Sequence, residues 1–68
     1  MINTNKLKGI IVENGKTQQE MAEILEIAPK TFYTKMKKGV FLSNEINTMI
    51  NVLNIKDPMP IFFAKDET

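Results

Sequence analysis

The sequence predicts an all-α fold, a compact bundle of four to five short helices. Three observations carry that expectation. Apolar residues recur at three- and four-residue spacing in separate stretches: Leu7, Ile10 and Ile11, then Met21, Ala22 and Leu25, then Ile46, Met49, Ile50 and Leu53. Residues that cap helices stand ahead of these stretches, at Asn3, Thr4 or Asn5, at Thr17 and at Ser43. Glycine and proline punctuate the chain between them, at Gly15, Pro29, Gly39, Pro58 and Pro60.

The first helix is expected over residues 5–14. Leu7, Ile10 and Ile11 make its buried stripe and Val12 widens it. Asn14-Gly15 ends it, because glycine takes the left-handed geometry that follows a last helical turn. Lys6 and Lys8 read either as solvated surface lysines or as phosphate contacts.

The second helix is expected over residues 17–25. Thr17 with Glu20 three residues later is a capping box: the hydroxyl accepts from the Glu20 amide, and the carboxylate reaches back to the Thr17 amide. Ala22 is small where a neighbouring helix must come close. Pro29 disfavours helical geometry at Ala28, so this helix ends first and the turn falls at about residues 26–28.

The third helix is expected over residues 29–37. Pro29 suits a first helical position, where its missing N–H costs nothing. Phe32 and Met36, four apart, share a core face. Lys30, Thr31, Tyr33, Thr34 and Lys37 fall on the remaining faces. Lys37 and Lys38 lead into a loop turned by Gly39, with Leu42 expected to anchor that loop in the core. Val40 and Phe41 are open to two readings: exposure of either against DNA sugars, or burial of one of them.

The fourth helix is expected over residues 44–53, capped by Ser43, with Ile55 tucked in behind it. Asp57-Pro58-Met59-Pro60 then interrupts any continuous helix. Residues 1–56 thus read as one domain and residues 57–68 as a tail. Ile61, Phe62 and Phe63 in that tail need cover, either against the first and fourth helices or in a dimer contact. The last residues, 65–68, are expected to fray.

Composition narrows the function classes. A chain of 68 residues buries a limited core, so association into a homodimer would help its stability. There is no cysteine, hence no disulfide frame and no thiolate metal site, and no histidine, the commonest general base and metal ligand at neutral pH. No glycine loop for phosphate and no pocket-forming pair of carboxylates is evident. No enzyme, cofactor or metal is expected. No apolar run approaches a membrane span or a signal-peptide core, and a cytoplasmic location is the default expectation.

Charge points further. Residues 1–27 hold three lysines against four glutamates, residues 28–40 hold Lys30, Lys35, Lys37 and Lys38 against no acid, and residues 41–68 hold two lysines against four acids. Positive charge is therefore gathered on the third helix and the loop behind it, where contact with phosphates would need it. The plainer account is that lysines suit a helix C-terminus through its dipole. A mildly acidic helix, a tight turn and a basic helix form the pattern of a helix-turn-helix that reads DNA.

The run Thr17-Gln18-Gln19-Glu20-Met21-Ala22-Glu23-Ile24-Leu25-Glu26-Ile27-Ala28 resembles the helix-turn-helix of small phage regulators, the Cro and lambda-type repressors. Thr17, Gln18, Gln19, Glu20, Ala22, Glu23, Leu25 and Ile27 match that family's usual residues as they stand, and Met21 replaces a leucine. The resemblance spans about residues 5–55. Two positions depart from it. Glu26 stands where the family has a turn glycine, which tolerates φ > 0. Ala28 stands where it has a capping serine, whose loss costs roughly 1 kcal/mol.

The resemblance implies a lambda-repressor-like fold and a Cro-like repressor of transcription that binds a double-stranded DNA operator as a homodimer. It implies that Gln18 contacts a phosphate and braces the recognition helix. It also implies that the early outward residues of that helix, Pro29, Lys30, Thr31, Tyr33 and Thr34, enter the major groove. Tyr33 has the second reading of partial core packing. Lys37 and Lys38 are expected on phosphates. All nine basic residues are lysine, so the arginine fork that reads guanine is absent and an A·T-containing site is favoured. The competing expectation is a small anti-repressor or co-repressor that keeps the helix pair as scaffold and binds protein through the Val40-Phe41 loop or the Phe62-Phe63 tail.

Overall fold

A computed structural model describes residues 2–63. It contains five helices and, among the described residues, no strand: α1 (Thr4–Glu13), α2 (Gln18–Ile24), α3 (Pro29–Lys38), α4 (Ser43–Val52) and α5 (Met59–Phe62). Phe32, Leu7, Ile11, Met21 and Met49 are fully buried and form the centre of one core. The expected all-α bundle is what the chain forms. The expected fraying of residues 65–68 falls outside the described residues.

The helix starts follow from local chemistry. The Asn3 side chain accepts from the Lys6 amide at 3.1 Å and caps α1. The Thr17–Glu20 capping box closes in both directions, with Glu20 N donating to Thr17 Oγ1 at 3.1 Å and Thr17 N donating to Glu20 Oε1 at 2.9 Å. Ala28 caps α3 without a side-chain bond, and Pro29 follows at the first position.

Four helix ends share one closure. Gly15, Glu26, Gly39 and Asn54 all take left-handed geometry, with φ of 69°, 60°, 72° and 52°. After each, the next amide donates back five residues: Lys16 to Ile11 O, Ile27 to Ala22 O, Val40 to Lys35 O, and Ile55 to Ile50 O, at 3.0 to 3.1 Å. This pattern satisfies carbonyls that a helix end otherwise leaves open. Glu26 holds the left-handed position without the freedom of glycine.

Several expectations change in three dimensions. Val12 is 72% exposed and adds nothing to the buried stripe of α1. Leu42 does not anchor the loop: it is 59% exposed, and Phe41 is buried instead. Phe41 wins that place because its ring meets Phe32, with centroids 5.5 Å apart. Ser43 is the first residue of α4 rather than its cap, since helical geometry begins after Leu42.

The tail is part of the same core. Pro58 precedes a single turn of helix, and Pro60 fits there because a first turn needs no amide donors. Ile61 and Phe62 are buried against the chain's own core, and α5 packs on α1. The Asn3 amide donates to the Ile61 carbonyl at 2.7 Å. Ile61 and Phe62 thus take the core-closing alternative in the described chain, while Phe63 remains 55% exposed.

Candidate nucleic-acid interface

Helix α3 lies against α2 through its buried face. Phe32 and Met36 point inward, and Ala22, fully buried on α2, provides the small residue that lets the two helices approach. A four-residue turn, residues 25–28, joins them. The geometry of α3 follows from this anchoring. At 3.6 residues per turn, Tyr33, Lys37, Lys30, Thr34, Lys38 and Thr31 fall in that order across an arc of about 160°. All six are exposed. The sequence-based candidates on this helix are thus brought onto one outward surface.

Two candidates sit differently. Pro29 is half-buried at the start of α3, and Gln18 is half-buried as the first residue of α2. The Gln18 side chain forms no hydrogen bond among the described residues, so its amide is available where the free amides and dipole of a helix N-terminus favour an anion.

Individual side chains carry constraints that the spacing alone does not show. The Thr34 hydroxyl donates to the Lys30 carbonyl at 3.0 Å. Its proton is thereby engaged, leaving its lone pairs and its methyl group to face outward. Both readings of Tyr33 have a share in the structure: its ring meets Phe32 edge-on, with centroids 6.3 Å apart, yet it stays 47% exposed.

Sequence reading missed the role of Lys35. Its Nζ lies 2.6 Å from Glu45 Oε2, in the only ion pair among the described residues. Glu45 is 5% exposed, and its Oε1 accepts from the Leu42 amide at 2.8 Å. One carboxylate therefore starts α4 and ties it to the end of α3. Lys35 is thus committed within the fold, and the outward cations of this region are Lys30, Lys37 and Lys38. A signal existed: Glu45 stands three residues after Leu42, the spacing of a carboxylate that reaches back to a cap amide. The apolar cap residue concealed it.

The loop after α3 adds an apolar edge. Val40 is 62% exposed beside Leu42, and with Lys30, Thr34, Lys38 and Phe41 they help line a groove of about 440 Å³. Among the described residues no helix is long and apolar enough to cross a membrane, and no group of three acidic residues, histidines or cysteines is placed to hold a metal ion. No protein-family model, curated protein or solved structure matches this chain.

Proposed function

We propose that this chain is a sequence-specific DNA-binding regulator of transcription, a repressor of the Cro kind that reads operator DNA through residues 29–37. One observation carries the reading. Lys30, Lys37 and Lys38 share a single exposed face of α3, with Thr31 and Thr34 among them and no acid on the helix. The lysines supply phosphate contacts, and the threonines present hydrogen-bonding oxygens and methyl groups of a size that reads base edges in a major groove. Gln18, at the start of α2, would meet a phosphate beside them.

A two-fold operator calls for two copies of the chain, with adjacent half-sites about 34–36 Å apart. Repression would follow from occupancy, since a bound dimer excludes the polymerase from the same DNA. The protein would work in the cytoplasm, where that DNA lies, with no cofactor.

The test is binding to a generic duplex over a salt series, for the native chain and for Lys30→Ala/Lys37→Ala/Lys38→Ala, with helicity of both checked by circular dichroism. Each phosphate contact contributes about 0.9 to the slope of log affinity against log salt, so loss of three should flatten it by roughly 2 to 3. A folded variant with an unchanged slope would remove the reading.

A further inference from the structure

Val40 and Leu42 are exposed branched apolar side chains beside the lysines of α3. They share a groove with Phe41 and with the outward face of α3, where Lys30 and Lys38 form part of the wall. Among the described residues no acidic side chain lines this groove. The carboxylate held by Lys35, that of Glu45, is buried and fully engaged. The groove therefore combines an apolar edge with positive charge that no acid among the described residues neutralises.

We propose that this groove is a docking site for an acidic amphipathic segment of a partner protein. The segment would present an apolar side chain flanked by carboxylates. The apolar side chain covers Val40 and Leu42, while the carboxylates meet Lys30 and Lys38 and set the orientation. Each half of the match answers a feature of the groove that the other half leaves open. Lys30, Thr34 and Lys38 belong to this groove and to the proposed DNA surface alike. A seated segment and a bound duplex thus exclude each other. Docking itself stands apart from the DNA reading; only this exclusion rests on it. Such a partner would release the chain from its operator without any change of fold.

The experiment is a selection of short random peptides displayed on phage against the full chain. Enriched peptides are then titrated by fluorescence anisotropy against the native chain, Val40→Asp/Leu42→Asp and Lys30→Ala/Lys38→Ala. All four positions are exposed, so the variants keep the core, and circular dichroism checks this. Enrichment of sequences that interleave Asp or Glu with Leu, Phe or Trp is expected, with binding to either variant weaker by about tenfold or more. Duplex DNA should displace them. Failure to enrich any sequence, enrichment of basic or purely apolar sequences, or equal binding by both variants would overturn the docking site. Peptide binding by a chain that ignores every duplex would support the docking site and remove the DNA reading. Simultaneous binding of peptide and duplex would overturn the exclusion.

Discussion

Lys35 and Glu45 join the end of α3 to the start of α4, with Nζ and Oε2 2.6 Å apart and the carboxylate almost wholly buried. The two residues are ten apart in sequence, and the loop between them carries Val40 and Leu42 on its outer side. The pair thus fixes the position of the groove wall as well as the junction of two helices.

Removing either partner should be costly, and removing both should not cost the sum. Lys35→Met leaves a buried carboxylate without its countercharge. Glu45→Ala strands the Leu42 amide as well as the ammonium. Each change should destabilise the chain by about 1–2 kcal/mol, with a coupling of about 1 kcal/mol recovered in Lys35→Met/Glu45→Ala. Urea unfolding followed by circular dichroism measures the cycle. Strict additivity would show that the two side chains stabilise the fold independently.

Glu26 and Asn54 both adopt left-handed geometry, but asparagine tolerates it and glutamate does not. Glu26→Gly should relieve about 1–2 kcal/mol of backbone strain, less the entropy glycine adds to the unfolded chain, for a net gain of about 0.5–1 kcal/mol. Asn54→Gly should gain less. Ala28→Ser should add about 1 kcal/mol by capping α3, whose first amides lack a side-chain partner. Thermal unfolding of the three variants ranks them directly.

The two tail phenylalanines should behave oppositely. Phe62 is buried and Phe63 is not. Phe62→Ala should cost about 3–5 kcal/mol, enough to unfold much of so small a domain at physiological temperature. Phe63→Ala should change monomer stability by less than about 0.5 kcal/mol. Sedimentation equilibrium of Phe63→Ala then asks a separate question, whether this exposed ring contributes to self-association.

On operator DNA the outward residues of α3 should divide into two groups. Lys37→Ala and Lys38→Ala should weaken binding uniformly across sequences and reduce the salt slope by about 1 each. Thr34→Ser keeps the hydroxyl bonded to the Lys30 carbonyl but deletes the methyl group. It should weaken thymine-containing sites selectively, by about 1 kcal/mol or more, with the slope unchanged. Binding-site selection on randomised duplexes reads both effects.

Much of the fold was legible because its causes are local. The Thr17–Glu20 box, the proline at the head of α3, the Phe32–Met36 face and the left-handed Gly15 each depend on residues within four positions of one another. The outward face of α3 was legible for the same reason. Ser43 was misread locally, since Leu42 caps α4, but three other outcomes turned on tertiary partners. Phe41 rather than Leu42 enters the core because Phe32, nine residues earlier, supplies an aromatic partner. Lys35 leaves the basic surface because Glu45 on another helix claims it. Ile61 and Phe62 close the core because the opposite end of the chain binds them. Spacing along one helix carries no information about such partners.

The hydrogen bond from the Asn3 amide to the Ile61 carbonyl makes the described chain a closed circuit. Its first and last segments hold each other, with Ile2, Ile61 and Phe62 buried around the joint. The core then cannot be completed from either end alone, so during synthesis the domain must wait for residues 61 and 62 to emerge before it locks. The usual gradient of protection in small domains should also be reversed here. The Asn3 amide should exchange with solvent as slowly as the amides of the core. A tag that displaces Ile2 should loosen Ile61 and Phe62 as much as its own surroundings.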